Sequence, residues 1–256
     1  MLSIHELTKR FGAQLAVDAL TLEVPAGQIV GLLGPNGAGK TTTLKMLTGL
    51  LKPDSGSAVI AGFDIVTRTM DAKRAFGFVP DSGAVYESLS GLEYLVMVAS
   101  LYGIREREAL PRIERFIEFF ELGMDTLKGK LLGAYSKGMR RKVVITAALL
   151  HNPGVVFLDE PLEGLDANAS VGFKALLETL AREGKTIVYS SHILDVVERV
   201  CHRVAIINKG RLMVDGAPEV LIAQHQAPTL EALFTRLTSA ADHELRAEEF
   251  AKSLRS

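Results

Sequence analysis

One short segment constrains the fold of this chain more than any other. Residues 34–41 read GPNGAGKT and match the pattern G-x-x-x-x-G-K-[S/T]. The apolar run QIVGLL before it predicts a buried strand, and the segment after it predicts a helix from about Lys40 to Leu50. Glycines at these positions let successive backbone N–H groups converge on phosphate oxygens. Lys40 would add a positive charge there, and the Thr41 hydroxyl would be a ligand for Mg²⁺.

Strand-like segments lie on both sides of this loop. Alternating polarity at 2–11 and 16–24 predicts an antiparallel hairpin or small sheet at the start of the chain. Residues 57–66 predict another strand after a turn at Asp54–Gly56. Further strand-like runs are found at 154–161, 185–192 and 203–216. A helical segment between the first two of these predicts βαβ crossovers and therefore a parallel sheet.

Two other parts of the chain have helical spacing. Residues 82–150 predict a helical insert between the strands, with periodic segments such as GLEYLVMVASLYGI and ALPRIERFIEFFELG. The last 30 or so residues predict amphipathic helix, beginning near TLEALFTRL.

A second segment has the features of an anion site. In GAYSKGMRRKV at 133–143, Ser136 stands where a helix N-cap would, and Gly138 permits close backbone approach. The cations Arg141 and Lys142 are expected on a solvated helix face. A chain that binds one nucleotide needs one phosphate loop, so the simplest hypothesis is that this helix serves a nucleotide held by another subunit.

Carboxylates follow one of the apolar runs. In VVFLDE, Asp159 and Glu160 end a predicted buried strand, at the edge where open α/β sheets bind ligands. We expect Asp159 to hold Mg²⁺ through water and Glu160 to polarise the attacking water, as phosphoryl transfer requires. His192 ends the next predicted strand, where it would reach a γ-phosphate, although a lone histidine is also common as a cap or a surface residue. The segment LEGLD at 162–166 is compatible with a simple turn into a helix capped by Asp166 or Asn168.

Composition narrows the class of protein further. The 256 residues carry a formal net charge of −1, so no nucleic-acid partner is expected. The single cysteine, Cys201, excludes an intramolecular disulfide and fits a reducing cytoplasm. The N-terminal residues lack the apolar core of a signal peptide, and no apolar run is long enough to span a membrane.

Together these motifs resemble the nucleotide-binding subunit of an ATP-binding cassette (ABC) transporter. The resemblance extends from residue 1 to about 215: Walker A at 34–41, signature at 135–139, Walker B at 155–160, D-loop at 162–166 and the switch residue His192. It implies an α/β fold with a P-loop NTPase core on a mostly parallel sheet, an N-terminal antiparallel β subdomain and an inserted helical subdomain. We expect an ATPase domain over 1–222 and a helical extension over 223–256.

The resemblance also implies cofactors and site residues. ATP and Mg²⁺ are expected, with two ATP molecules held between Walker A of one subunit and the signature of the other. Phe11 falls on the position that stacks on adenine, Glu160 on the catalytic base and His192 on the γ-phosphate sensor. The metal ligands would be Thr41, Asp159 and Asp81. The nucleotide-binding residues would be Phe11, Gly34, Pro35, Asn36, Gly37, Ala38, Gly39, Lys40, Thr41 and Thr42, with Ser136 and Gly138 contacting the partner subunit's ATP.

Three positions depart from the family's usual pattern. Lys137 and Met139 alter the signature, which is YSKGM where many relatives have LSGGQ. This variant resembles the exporter branch with a separate permease, the type-two group, as does TLEALFTRLT at 229–238. Asp81 stands in GFVPDSG where relatives usually have Gln, the residue that touches Mg²⁺ and hinges the helical insert. A carboxylate ligates Mg²⁺ well, but Asp81 adds negative charge beside Asp159 and Glu160.

The resemblance therefore implies a cytoplasmic ATPase, peripheral on the inner face of the cell membrane, that drives an exporter. Its partners would be an integral membrane permease, docked on the groove around 81–102, and a second ABC subunit, most simply another copy. The alternatives are a soluble ABC ATPase of translation, which usually carries two cassettes in one chain, or one of DNA maintenance, which needs a long coiled-coil insertion. A degenerate, non-catalytic cassette is a third alternative, which the presence of Glu160 and His192 disfavours.

Overall fold

The computed structural model of the chain describes residues 1–238, so residues 239–256 of the helical extension expected over 223–256 lie outside the described residues. Two sheets form the framework. A four-stranded antiparallel sheet has the order β2-β1-β4-β5. Its strands are β1 Leu2–Phe11, β2 Gln14–Val24, β4 Ser55–Ile60 and β5 Phe63–Asp64. This confirms the antiparallel β subdomain.

The second sheet has six strands in the order β10-β9-β3-β8-β7-β6. Pairing is parallel from β9 across to β6, and only β10 is antiparallel to its neighbour within this sheet. The strands are β3 Ile29–Leu33, β6 Phe76–Val79, β7 Val155–Asp159, β8 Thr186–Ser190, β9 Arg203–Asn208 and β10 Arg211–Gly216. The central strands β3, β7 and β8 are buried along their whole length, which explains their continuous apolar sequences.

Helices cover the parallel sheet and form the insert. Helices α1 Lys40–Leu47, α2 Thr69–Ala75, α7 Ala167–Arg182, α8 Leu194–Val200, α9 Pro218–Gln224 and α10 Leu230–Thr238 surround the two sheets. The helical insert contains α3 Gly91–Leu101, α4 Glu106–Phe119, α5 Met124–Gly129 and α6 Lys137–Leu149. A capping box in which Ser90 and Glu93 bond each other's backbone N–H groups sets the start of α3.

The expected boundaries differ from the structure at turns. The predicted strand at 57–66 is two strands, because Ala61 and Gly62 both adopt positive φ and reverse the chain. The run at 203–216 is a hairpin, with Lys209 and Gly210 in the same conformation. This backbone conformation is typical of tight two-residue hairpin turns.

Three apolar clusters hold these layers together. One lies between the parallel sheet and α6, α7 and α8, one between the two sheets and α1, and one within the helical insert. Leu221, Leu230 and Leu233 from α9 and α10 are buried in the first cluster. The described part of the C-terminal segment is therefore packed on the same core as the sheet, and the expected division between 222 and 223 falls within α9.

The insert approaches the sheet most closely where α6 crosses β6. A Cβ added at Gly77 would overlap the carbonyl oxygen of Ala148 in α6, whereas one at Gly154 would make only an ordinary contact at 3.9 Å. We expect Gly77→Ala to lower the free energy of unfolding by about 2 kcal/mol, as overpacking usually does, and Gly154→Ala to change it little. Urea unfolding midpoints measure both. Equal midpoints would show that α6 and β6 have room to separate without loss.

Candidate active site

The phosphate loop lies between β3 and α1, as its sequence predicts. Gly37 and Gly39 adopt positive φ, and a Cβ on Gly39 would lie 2.5 Å from the carbonyl oxygen of Ala16. Helix α1 begins at Lys40 behind Gly39, a residue with no side chain to cap it. The first N–H groups of α1 therefore point into the loop, where a helix N-terminus attracts anions.

Lys40 occupies the middle of this loop. Its Nζ donates to the carbonyl oxygens of Gly34 at 2.5 Å and Pro35 at 3.2 Å. Burial lowers the pKa of Lys40, while the carboxylates of Glu160 and Asp159 oppose that shift. The amine is thus held inside the loop by two weak partners, where a phosphate oxygen would be a stronger acceptor.

A cleft of about 260 Å³ opens beside the loop. We call it the phosphate-loop cleft. It is lined by Phe11, Gln14, Ala16, Asn36, Gly37, Ala38, Gly39, Lys40, Thr41 and Thr42. Phe11 ends β1 and is 50% exposed, with the Lys9 amine 5.8 Å from the centroid of its ring, so an aromatic ring is presented at the edge of the cleft. The structure brings Phe11 to the same cleft as 36–42, although these segments are far apart in sequence.

The carboxylates reach this region from the end of β7. Asp159 is buried, and the Thr41 hydroxyl lies 3.4 Å from its Oδ2 atom. Glu160 follows with a positive φ of 48°, which is strained for a residue with a side chain. Its backbone N–H donates to the carbonyl oxygen of Ser190 in β8, which fixes the turn out of the sheet.

Two residues after β8 hold the Glu160 carboxylate. The Nδ1 atom of His192 lies 2.8 Å from Oε1, and the Ser191 hydroxyl donates to Oε2 at 3.0 Å. The structure therefore pairs the two catalytic residues that the resemblance implies. Sequence reasoning missed Ser191; its position beside His192 at the end of a parallel strand is the signal that would have found it.

The signature segment forms the start of α6, and Ser136 and Gly138 have the local roles that its sequence predicts. Ser136 is the N-cap of α6, and its hydroxyl accepts from the N–H of Met139 at 3.2 Å. Gly138 does permit close approach, but to the protein itself: a Cβ there would overlap the carbonyl oxygen of Gly164. The signature and the D-loop are thus packed backbone to backbone.

The expectation that Arg141 and Lys142 lie on a solvated face is wrong. Arg141 is only 2% exposed, and it donates to the carbonyl oxygens of Pro80 at 2.7 Å, Asp81 at 2.9 Å and Glu163 at 3.3 Å. Lys142 is half-buried and forms an ion pair with Asp166 at 3.0 Å. Helix packing decides this, because Arg141 projects from the face of α6 that meets both loops.

Of the two residues that could cap α7, the helix after the D-loop, Asp166 is the one that does so. Asp166 caps this helix by accepting from the N–H of Ala169 at 2.8 Å, and Asn168 lies within its first turn. Burial raises the pKa of Asp81, and the nearby carboxyl group of Glu163 adds to that rise. Asp81 in turn contributes to raising the pKa of Asp159, so the two carboxylates lie near enough to repel each other.

The fold, the loop and the strand-end carboxylates together identify the protein family. A family model described as "ABC transporter" matches residues 17–163. The chain belongs to the ABC transporter family. Its enzymatic activity is that of an ABC ATPase, the hydrolysis of ATP to ADP and phosphate.

Curated relatives and solved structures agree with this family. The chain is 38% identical to the Nod factor export ATP-binding protein I of Burkholderia thailandensis, and the match covers 86% of this chain and 72% of that protein. It is 36% identical to the ABC transporter ATP-binding protein NatA of Bacillus subtilis, and the match covers 91% of this chain and 96% of that protein. A solved ATP-binding subunit of an ABC transporter is 31% identical with a TM-score of 0.87, covering 93% of this chain and 99% of that one. The P-loop fold expected from the sequence is therefore confirmed.

The residues of this ABC ATPase fit the ATP that the family binds. A Cβ on Gly37 would meet no atom within 4 Å, and among the described residues the Lys40 amine donates only to carbonyl oxygens of its own loop. Within residues 1–238, no three His, Cys, Asp or Glu side chains are grouped to hold a metal by themselves. The contact between the Thr41 hydroxyl and Asp159 offers a pair of oxygen donors of the kind that Mg²⁺ accepts, with water and phosphate oxygens as its other ligands. Over the same residues, no helix is both long and apolar enough to cross a bilayer.

Asp159 carries a stability cost that the ABC ATPase tolerates for its chemistry. Burial raises the pKa of its carboxyl above the ordinary 3.8, so the folded state binds the proton more tightly than the unfolded chain. The ionised carboxylate therefore destabilises the fold at pH values above 3.8, and this penalty disappears below that pH.

We expect Asp159→Asn to raise the thermal unfolding midpoint at pH 7, without nucleotide or divalent metal, while ATPase activity falls. The gain should shrink as the pH is lowered from 7 towards 3.8 and should be lost below 3.8. The exposed Asp195 provides the control, because its replacement by Asn should not stabilise the protein. A lower midpoint for Asp159→Asn at pH 7 would contradict the sign of this effect.

Proposed function

We propose that this chain is the ATP-hydrolysing subunit of a membrane exporter and that two such subunits close on two ATP molecules. The Glu160 carboxylate carries this proposal. It is oriented by Ser191 and His192 at the sheet edge that also holds the phosphate loop, and this geometry suits a base that polarises water. A degenerate cassette would have no need to retain the strained φ of Glu160.

The chain's own residues have distinct parts in this reaction. The loop N–H groups and Lys40 would hold phosphate oxygens, and Phe11 would stack on the adenine ring. Thr41 and Asp159 would hold Mg²⁺, which neutralises charge that develops on the phosphate oxygens. Glu160 would accept a proton from the attacking water, and His192 would keep that carboxylate oriented. Asp81 is the least supported of the metal ligands, because burial and the nearby Glu163 carboxyl group raise its pKa, whereas Thr41 and Asp159 lie in direct contact.

The two anion sites of the chain lie in different clefts, which supports the shared arrangement. A second cleft of about 360 Å³, the signature cleft, is lined by Asp81, Ser82, Gly83, Tyr135, Lys137, Arg140 and Arg141. In the described part of the chain, neither cleft is lined by a residue of the other. Ser136 stands between two residues that line the signature cleft, Tyr135 and Lys137, so Ser136 and Gly138 would serve an ATP that the partner subunit's phosphate loop holds. Two copies of this chain are the simplest such pair.

Export rests on the relatives. One is named a Nod factor export protein, and another, 32% identical, is a probable multidrug ABC transporter ATP-binding protein of Escherichia coli. The permease would dock beside 81–102, where Tyr86 is 64% exposed and its ring lies 6.4 Å from that of Tyr94, while Leu92 is half-buried. Such a subunit would work in the cytoplasm on the inner face of the membrane. Roles in translation or DNA maintenance gain no support from these names.

The base assignment has a direct test. Glu160→Gln keeps the shape of the side chain and its amide can still bond Ser191, so ATP binding should persist. Turnover should fall by about 100-fold or more, as the loss of a general base usually causes. The variant should then accumulate as an ATP-bound dimer in size-exclusion chromatography. Near-normal turnover would remove Glu160 from this role.

The shared site predicts that two inactive variants rescue each other. Lys40→Ala loses the phosphate grip, and Ser136→Arg blocks the start of α6, so each homodimer has two broken sites. In a mixed dimer one site inherits both lesions and the other inherits neither. Mixing should restore up to about half of the activity per dimer, provided that the sites turn over independently.

Differential tags on the two variants show whether mixed dimers form, and Lys40→Ala mixed with Glu160→Gln is the matched control. Those two lesions lie on the same side of each site. Every site of that mixed dimer carries one lesion, so no activity should return. An inactive mixture of Lys40→Ala and Ser136→Arg, with mixed dimers present, would mean that Ser136 acts within its own subunit.

A further inference from the structure

An ion pair on the surface of the site has no part in the functions described so far. Lys137, the first residue of α6, pairs with Glu163 in the D-loop. Glu163 also lies near Asp81, because after burial the carboxyl group of Glu163 contributes most to raising the pKa of Asp81, and Arg141 bonds the backbone carbonyl oxygens of both residues. The Glu163 carboxylate thus pairs with one of the three positions that depart from the family's usual pattern and lies near a second.

Buried contacts also join the start of α6, the loop at 80–81 and the D-loop. Arg141 bonds the carbonyl oxygens of Pro80, Asp81 and Glu163, and Gly138 packs against Gly164. The ion pair lies above them, with side chains 61% exposed for Lys137 and 47% for Glu163. Ion pairs as exposed as this contribute little to stability because water screens them. We therefore expect this ion pair to affect the relative position of the D-loop and the start of α6 more than the stability of the fold.

Glu163 is placed between the residues that serve the two ATP molecules. Its backbone N–H donates to the carbonyl oxygen of Glu160 at 3.2 Å, so the two residues belong to one turn. Its side chain holds Lys137, whose neighbour Ser136 caps α6. A displacement of the α6 N-terminus therefore acts on the turn that carries the catalytic carboxylate.

We propose that Glu163 is a positioning residue, which holds the start of α6 in register with Glu160 so that two subunits close productively around ATP. The proposal rests on the shared site described above. In this arrangement Glu163 acts through Lys137 and not on the reacting groups. Loss of either partner should then have the same effect, because each breaks the same link.

A double-mutant cycle tests this with the full chain and MgATP. Glu163→Gln, Lys137→Gln and the double variant are made in the Glu160→Gln background, and sedimentation measures the ATP concentration that gives half-maximal dimer. Each single change should raise that concentration by about fivefold or more, and the double variant should be no worse than either single. Lys137→Arg, which keeps the charge, should restore the parent value within about twofold.

A second measurement separates positioning from chemistry and from folding. With Glu160 intact, Glu163→Gln should raise KM for ATP at least as much as the dimer midpoint while kcat changes by less than about twofold, since the base remains. The control is Glu108→Gln, which removes a comparably exposed carboxylate from its pair with Arg105 on the helical insert. Its KM and dimer midpoint should match the parent, and thermal unfolding midpoints should be alike for all variants.

Each other outcome has a definite meaning. If Glu163→Gln behaves like Glu108→Gln while Lys137→Gln is impaired, Lys137 contacts the nucleotide itself and the proposal is wrong. Additive effects in the double variant, or no effect in either single, overturn it as well and leave the shared site standing. If the parent Glu160→Gln protein forms no dimer with MgATP, the shared site fails and this proposal fails with it.

Discussion

The active site depends on the register of three buried parallel strands. Leu32 in β3 lies opposite Ser190 in β8, and Ser190 lies opposite Asp159 in β7, so the three strands end at one level of the sheet. The phosphate loop, the Glu160 turn and the Ser191–His192 pair therefore emerge side by side. A slip of β7 by one residue would put Leu158 in place of Asp159 and turn its side chains to the opposite faces. Catalytic geometry here is a property of strand alignment before it is one of individual side chains.

The parts that could be predicted from the sequence are those encoded by local spacing. The phosphate loop is specified by its own glycines and Lys40, and the strand before it by an unbroken apolar run. Ser136 could be predicted as a cap because a short hydroxyl side chain precedes a long apolar helix. Boundaries failed where two residues with positive φ, such as Lys209 and Gly210, turn one apolar run into a hairpin. Only Gly210 had a sequence signal for that conformation.

The parts that could not be predicted depend on which distant segment a residue meets. Arg141 stands in a run of three cations, and charge alone predicts a solvated face. Its spacing to Ile145 and Ala148, four and seven residues on, was the available signal, because both are buried in the core against the sheet. What Arg141 bonds was beyond any local pattern, since the carbonyl oxygens of Pro80 and Asp81 are some 60 positions away. The same holds for Gly138. Its lack of a side chain predicts that another backbone segment packs closely against it, but only the fold shows that this segment is Gly164.

The buried charges of the site favour a ligand that carries both a positive and a negative charge. Asp159 is buried, and its raised pKa shows that the protein alone stabilises its negative charge poorly. The positive charge of Lys40 is also poorly stabilised, because burial lowers the pKa of the amine and the carboxylates of Glu160 and Asp159 oppose that shift. A divalent cation at the carboxylates and a phosphate at Lys40 would relieve both penalties at once, whereas either alone would relieve one. Such penalties weaken the empty protein and strengthen its hold on the complete ligand. Asp81 adds a further negative charge to this region, so the dependence on the cation should be steeper here than with an uncharged amide at that position.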